Sequence, residues 1–347
     1  MQSGMAADRR LRIAVAGAGS IGCCVGGCLA LEGRDVTLLL RPALAEAIAR
    51  HGLRVSDLDG ADRVLAPSAV RLATDPAAAF SDADVILVTV KSGATGAMAE
   101  LIAEHAASGV TVLSLQNGVG NVDVLLARLG AMARVVPGML PFNVVQTLRE
   151  GEPPRFHRAT SGTVQIGAGV EGLREALDVR GVAVAESPDM TGVLWGKLLL
   201  NLNNALNALA GVPLAAELAD KSWRRLLAAQ IDEGLEVLKA AGIRPARIEG
   251  VPPGAIPRIL RLPDWLFKRV ARRMLAIDPE ARSSMWEDLE RRRPTEIDHL
   301  QGAILALAAK LRMRVPLTQR IVDLVKAAEA ARAGSPGLTP DGIGRAD

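Results

Sequence analysis

Two clusters of residues have types and spacings that suit chemistry. The first, Gly17-Ala18-Gly19-Ser20-Ile21-Gly22, fits the pattern GxGxxG. Glycine at Gly17 permits a tight turn, at Gly19 a close approach of backbone to a pyrophosphate, and at Gly22 close packing of a helix on a strand. The motif, with Ser20, Ile21 and Gly22 at its end, directly precedes a helix over 23–32 whose N-terminus offers unpaired N–H groups to phosphates. The second cluster is Lys197 with Asn201, Asn203, Asn204 and Asn207. Asparagine is a poor helix-interior residue, so its density here calls for a reason. At about 100° per residue, Lys197, Asn201 and Asn204 fall in one sector of a helix. An ammonium with amides in an otherwise apolar helix is either a functional site or a structural polar network, because buried polar groups must be paired.

Cations stand where an anionic ligand would meet a sheet. The apolar run 36–40 ends at Arg41, where an Asp or Glu would accept from ribose hydroxyls and repel a 2′-phosphate. A guanidinium instead pairs with that phosphate through its fork of donors, so the expected cofactor is NADPH. The run 85–90 ends at Lys91, a second cation at the same edge. After the run 110–115 comes Gln116-Asn117-Gly118-Val119-Gly120-Asn121. Its glycines let a ligand near the backbone, and the Asn117 amide both donates and accepts. Ser283-Ser284-Met285-Trp286-Glu287-Asp288 and Arg293-Pro294-Thr295-Glu296-Ile297-Asp298 read by themselves as a helix cap and a helix start.

The elements that must position these residues follow from periodicity. Apolar runs at 13–16, 36–40, 85–90 and 110–115 alternate with helical segments such as 23–32, 43–50 and 94–105. That alternation predicts βαβ units and a parallel sheet covered on both faces. Weaker strand patterns follow at 135–136, 162–166 and 182–185, and helices dominate from Met190: 193–210, 223–241, 288–312 and 317–333. The expected division is a nucleotide-binding domain over 1–187, a helical domain over 188–333, and a Gly/Pro-rich tail over 334–347 that frays.

Bulk properties narrow the function classes. A length of 347 residues and a hydrophobic share of 49% suit two domains with sizeable cores. The net charge of +3, 2% aromatics and absence of tyrosine argue against nucleic-acid binding. Lys268, Arg269, Arg272 and Arg273 share a helix face and read as solvated. No run is long and apolar enough to span a membrane. The polar opening, 1–10, lacks the apolar stretch of a secretory signal, so a cytoplasmic setting is expected. Cys23, Cys24 and Cys28 lie too close together for a disulfide framework and have no nearby histidine. They read as packing residues, with Cys23 near a helix start a candidate for a lowered pKa. No metal site is expected.

In order and spacing these residues resemble the ketopantoate reductase family over nearly the whole chain. The resemblance rests on Gly17 to Gly22, Arg41, Lys91, Asn117-Gly118-Val119-Gly120, Trp195-Gly196-Lys197-Leu198 with Asn201, and Ser283-Ser284-Met285 with Asp288 and Thr295-Glu296-Ile297-Asp298. It implies an α/β fold: an N-terminal Rossmann domain with a doubly wound parallel sheet, followed by a C-terminal all-helical domain, with substrate in the cleft between them. By similarity, Lys197 is the catalytic lysine, Asn201 and Ser284 bind substrate, Glu296 sits by the cofactor near the lysine, and Asn117 holds the nicotinamide side. The implied reaction is NADPH-dependent reduction of 2-dehydropantoate to pantoate, as in pantothenate and coenzyme A biosynthesis, by a monomer or homodimer.

Two positions depart from the family pattern. A second asparagine eight residues beyond the lysine is replaced by Ala205, with Asn204 adjacent and nearer the Lys197 face. An asparagine three before the substrate serine is Ala281. Both touch substrate recognition, so another branched 2-keto acid is an alternative substrate. A nucleotide-binding regulatory protein without catalysis is the alternative of a different class.

Overall fold

The apolar runs of the first half become neighbouring strands of one sheet. In a computed structural model, which describes residues 11–247, 250–271 and 281–344, the chain divides into units Met1–Met190 and Thr191–Asp347. The first unit contains β1 (Arg12–Ala16), β2 (Asp35–Leu39), β3 (Leu53–Asp57), β4 (Asp62–Leu65), β5 (Arg71–Ala73), β6 (Val85–Val88), β7 (Val110–Ser114), β8 (Ala133–Met139), β9 (Val144–Thr147), β10 (Arg155–Arg158), β11 (Val164–Gly167) and β12 (Val184–Ser187). Its helices are α1 (Ser20–Leu31), α2 (Pro42–His51), α3 (Pro76–Phe80), α4 (Thr95–His105), α5 (Asn121–Leu129) and α6 (Leu173–Leu177).

Eight strands form the main sheet in the order β12-β11-β8-β7-β6-β1-β2-β5. Pairing is parallel from β5 across to β8, and antiparallel only between β8 and β11. The strand order reverses beside β1, which makes the carboxyl end of β1 the switch point where open α/β sheets bind ligands. Alternate residues of β1 serve different cores, as the period of two in a strand requires. Ile13 and Val15 pack with Cys24, Leu29 and Leu38, while Ala14 and Ala16 pack with Phe80, Ile86, Ile102 and Leu125. A second sheet, β4-β3-β10-β9, covers α1, with Leu53, Val55 and Phe156 joining the same core as Cys28 and Leu29. Sequence periodicity misses this sheet.

The three cysteines are free and buried. Cys23 Sγ donates to the Ala18 carbonyl at 3.2 Å. Burial pushes its thiol well up, the reverse of the lowering expected near a helix start, because no compensating cation offsets the loss of water.

The second unit is helical. It comprises α7 (Met190–Asn201, whose first residue closes the first unit), α8 (Asn203–Ala210), α9 (Leu214–Ala219), α10 (Lys221–Ala240), α11 (Ile256–Leu260), α12 (Asp264–Val270), α13 (Ser284–Glu290), α14 (Gln301–Lys310), α15 (Pro316–Ala331) and α16 (Pro340–Gly344). Leu198, Leu199, Leu202, Leu206, Ile231, Ile304, Ile321 and Val325 are fully buried in it. Arg224 of α10 is buried and donates to the carbonyls of Leu218, Ala219, Leu260 and Leu262, with Asp264 as its ion partner at 2.6 Å. One guanidinium thereby ties α9, α11 and α12 to α10.

Three expectations are corrected here. The single helix over 193–210 is two, because the Leu202 carbonyl accepts from Gln301 Nε2 at 2.9 Å. The helix over 288–312 is also two, α13 and α14, joined by irregular chain and one 3-10 turn at Ile297–His299. Arg292 there has a left-handed φ of 54°, and Pro294 lacks an N–H and disfavours helix in the residue before it. The tail from Gly334 does not fray over its described part: Leu338 N–H donates to the Leu209 carbonyl at 2.8 Å, and Ile343 of α16 is fully buried. Lys268 and Arg269 are exposed, whereas Arg272, Arg273 and the opening residues 1–10 lie outside the described residues. Among the described residues no helix is long and apolar enough to cross a membrane.

Candidate active site

The phosphate loop lies between β1 and α1, at the switch point. Gly17 takes a φ of +82°, and a β-carbon there would sit 2.1 Å from Val90 Cγ1. At Gly22 a β-carbon would sit 2.6 Å from Thr89 Oγ1 and 2.8 Å from Val15 Cγ1. Thr89 Oγ1 in turn donates to the Gly17 carbonyl at 3.0 Å, so β6 and the residues after it mould the loop. Gly19 differs: its nearest neighbour to a built β-carbon is the Gly17 carbonyl oxygen, 4.0 Å away. The loop backbone is therefore open on that side. No side chain caps α1, and its first turn carries no acid. The N–H groups of Ser20, Ile21 and Gly22 are thus left for a ligand. This cradle fits the pyrophosphate of a dinucleotide. Ser20 Oγ donates to Gln146 Oε1 of β9 at 3.4 Å, a contact between the loop and the second sheet.

Arg41 follows β2 in extended conformation as the residue capping α2, and its side chain is exposed. Lys91 holds the equivalent place after β6, before a turn of 3-10 helix at Ser92–Ala94, and is exposed.

A buried polar network supports Asn117. Ser92 Oγ and Asn121 Nδ2 both donate to the Asn117 carbonyl at 2.9 Å. Thr95 Oγ1 donates to Asn121 Oδ1 at 2.9 Å, and Gln116 Nε2 donates to Thr95 Oγ1 at 2.7 Å and to the Val90 carbonyl at 3.0 Å. Ser114 Oγ closes the chain on Gln116 Oε1 at 3.1 Å. Backbone carbonyls are accepting where β6 and β7 end, so the network fixes the Asn117 loop to the sheet. Ser92 and Thr95 escaped the sequence reading. Small hydroxyl residues just after a strand are common turn chemistry, and only their contacts set them apart.

The remaining residues belong to the helical unit. Lys197 is half-buried and Asn201 buried, one turn apart on α7. Asn204 is the second residue of α8 and is half-buried, while Ser284 is exposed at the start of α13. Ser283 joins the two: its Oγ donates to the Asn204 carbonyl at 2.9 Å and accepts from Trp286 N–H at 3.1 Å, capping α13. Glu296 is half-buried just before the turn Ile297–His299. Its neighbour Thr295 donates through N–H and Oγ1 to Glu329 of α15, and Gln301 beyond it holds the Leu202 carbonyl. Hydrogen bonds thereby link the segments that carry Lys197, Asn201, Asn204, Ser284 and Glu296. Ala205 is fully buried, and the Ala281 carbonyl accepts from Leu214 N–H at 2.9 Å.

Comparison with known proteins identifies the family. The sequence model of ketopantoate reductase PanE/ApbA matches residues 13–171, and the model of its C-terminal part matches residues 189–329. The 2-dehydropantoate 2-reductase of Halobacterium salinarum is 31% identical over 92% of this chain and 99% of that one. A PanE/ApbA family ketopantoate reductase from Ralstonia eutropha JMP134 superposes with a TM-score of 0.77 at 29% identity, covering 93% of this chain and 99% of that one. The 2-dehydropantoate 2-reductase of Geobacter metallireducens GS-15 superposes with a TM-score of 0.74 at 28% identity, over 92% and 100% of the two chains. The chain belongs to the ketopantoate reductase PanE/ApbA family, with its Rossmann and helical parts, and is an oxidoreductase that uses a nicotinamide cofactor on a small molecule.

Proposed function

We propose that the protein reduces 2-dehydropantoate to pantoate with NADPH. The observation that carries this reading is the hydrogen-bonded linkage of Lys197, Asn201, Asn204, Ser284 and Glu296 segments in one helical unit, in a chain 31% identical to a 2-dehydropantoate 2-reductase. The uncapped start of α1 supports pyrophosphate binding. Exposed Arg41 supports the 2′-phosphate of NADPH, with Lys91 a second cation and Asn117 a partner for the nicotinamide side.

When bound, the nicotinamide supplies the hydride that adds to the keto carbon. Protonated Lys197 donates a hydrogen bond to the keto oxygen, stabilises the charge that develops there and transfers its proton to it. The alcohol thus gains one hydride on carbon and one proton on oxygen. Glu296 keeps the ammonium charged and aimed. Ser284 donates to the substrate carboxylate, while Asn201 and Asn204 bind the substrate hydroxyl. The protein acts in the cytoplasm, as a monomer or a homodimer; its three unpaired cysteines suit a reducing compartment.

Ala205 and Ala281 favour one second reading, reduction of another branched 2-keto acid, because each removes an amide from substrate recognition. An absorbance assay decides it. NADPH and NADH are each oxidised with 2-dehydropantoate, 2-oxoisovalerate and pyruvate. The proposal expects the highest kcat/KM for NADPH with 2-dehydropantoate, and a preference for either other acid overturns the substrate assignment.

A further inference from the structure

A carboxyl group with no place in the mechanism is buried behind the Ser284 helix. Glu217 of α9 is 1% exposed, and its Oε2 accepts from Asn207 Nδ2 at 2.6 Å. Asn207 is fully buried and its amide is used in every direction. Nδ2 also donates to the Val212 carbonyl at 2.9 Å, and Oδ1 accepts from Ser283 N–H at 2.8 Å. Ser283 is the anchor of α13, and Ser284 is its exposed first residue. A continuous line of hydrogen bonds therefore runs from Glu217 through Asn207 to the backbone that presents Ser284, and on through Ser283 Oγ to the Asn204 carbonyl.

The line determines direction as well as contact. Asn207 can accept from Ser283 only if its amide nitrogen points toward Glu217, and Glu217 holds it so together with the Val212 carbonyl. Asn203 lies against the same carboxyl, and its Oδ1 has no partner among the described residues. A half-turn of that amide sets the oxygen against a Glu217 proton, which satisfies a neutral acid and both amides together. Burial raises Glu217 to about 8, so the acid form is the one present near neutrality. Removing the carboxyl leaves the Val212 carbonyl as the one remaining acceptor of Asn207 Nδ2, so the amide in a dry site is held less firmly and its oxygen is aimed less strictly at the Ser283 N–H.

We propose that Glu217 is a positioning residue for substrate binding, acting through Asn207 and Ser283 to set the orientation of Ser284 and the Asn204 segment. This inference rests on the reading of Ser284 as a substrate ligand. A residue that only supports folding lowers the amount of active enzyme, whereas one that orients Ser284 raises KM for the keto acid selectively.

The test is steady-state kinetics on the full chain with Glu217→Ala, Glu217→Gln, Ser283→Ala and Ser284→Ala. Glu217→Ala is expected to raise KM for 2-dehydropantoate about tenfold, with KM for NADPH within about twofold of the parent. Glu217→Gln, which accepts from Asn207 and donates to Asn203, is expected to bring the substrate KM back close to the parent value. Ser283→Ala, which keeps its N–H and loses only the hydroxyl, tests the onward link to Asn204 and is expected to shift the substrate KM in the same sense. Glu217→Met, which fills a similar volume without an acceptor for Asn207, carries the test if Glu217→Ala does not fold. An unchanged substrate KM in the folded Glu217→Ala variant, an equal rise for both substrates, or failure of Glu217→Gln to restore it overturns the proposal. Ser284→Ala separates the two claims. If it raises the substrate KM and Glu217→Ala does not, the positioning role alone fails. If Ser284→Ala changes nothing, the reading of Ser284 fails and the inference falls with it.

Discussion

Val90 packs so closely on Gly17 that a β-carbon on the glycine would lie 2.1 Å from Val90 Cγ1. The residue that leads from β6 toward Lys91 therefore shapes the loop after β1, and the two carboxyl edges of the sheet are built as one surface. Gly17→Ala combines this clash with a φ of +82°. Left-handed backbone costs a non-glycine residue roughly 1–2 kcal/mol and overpacking about 1–3 kcal/mol more. Urea unfolding should show a loss of several kcal/mol, and NADPH titration should show no saturable binding. Parent-like values in both measurements contradict the account of the loop.

Arg41→Asp reverses the charge proposed to meet the 2′-phosphate. A hydrogen-bonded charge pair is worth about 1.5–3 kcal/mol, so binding of NADPH should weaken at least tenfold more than binding of NADH. Fluorescence titration with both cofactors measures this. Equal weakening removes the basis for NADPH.

Thr95→Val tests the network beneath Asn117. It takes away the donor to Asn121 Oδ1 and one of the two acceptors of Gln116 Nε2, leaving the Asn121 oxygen without that donor in a buried site. The expected loss of stability is about 1–3 kcal/mol, accompanied by weaker NADPH binding. Loss of stability with unchanged cofactor affinity would restrict the network to a structural role.

Legibility in the sequence followed the reach of each interaction. The strands at 13–16, 36–40, 85–90 and 110–115 were readable because both their faces are largely buried and most of their residues are apolar. The second sheet was not, because Arg54, Asp62, Arg155 and His157 place polar groups within short strands whose burial depends on α1. The break at Leu202 depends on Gln301, nearly a hundred residues on, and no local pattern encodes it. The density of asparagine in α7 and α8 was visible. The reason for Asn207 was not, since it lies at Glu217 and Ser283. The family resemblance named Lys197, Ser284 and Glu296, while the hydroxyls and amides that support their segments emerge only from the fold.

Stability should depend on pH through Glu217. Burial raises its carboxyl to about 8 from an ordinary 4.5, with only the Asn207 and Asn203 amides opposing. Between those values the folded chain holds a proton that the unfolded chain has released. The contribution is fully present below the unfolded pKa and is lost as pH rises toward the folded one, at up to ~1.4 kcal/mol per pH unit. Urea unfolding of the parent and of Glu217→Gln from pH 5 to 8 should give a flatter profile for the variant. Parallel profiles contradict the buried neutral acid.

The most direct test of the proposed chemistry is the turnover of Lys197→Ala with NADPH and 2-dehydropantoate, measured beside its NADPH affinity. Loss of a general acid should lower kcat by about 100-fold or more, with the cofactor dissociation constant within about twofold of the parent, because Lys197 lies outside the Rossmann unit. Parent-like turnover by the variant would contradict the assignment of Lys197 as proton donor.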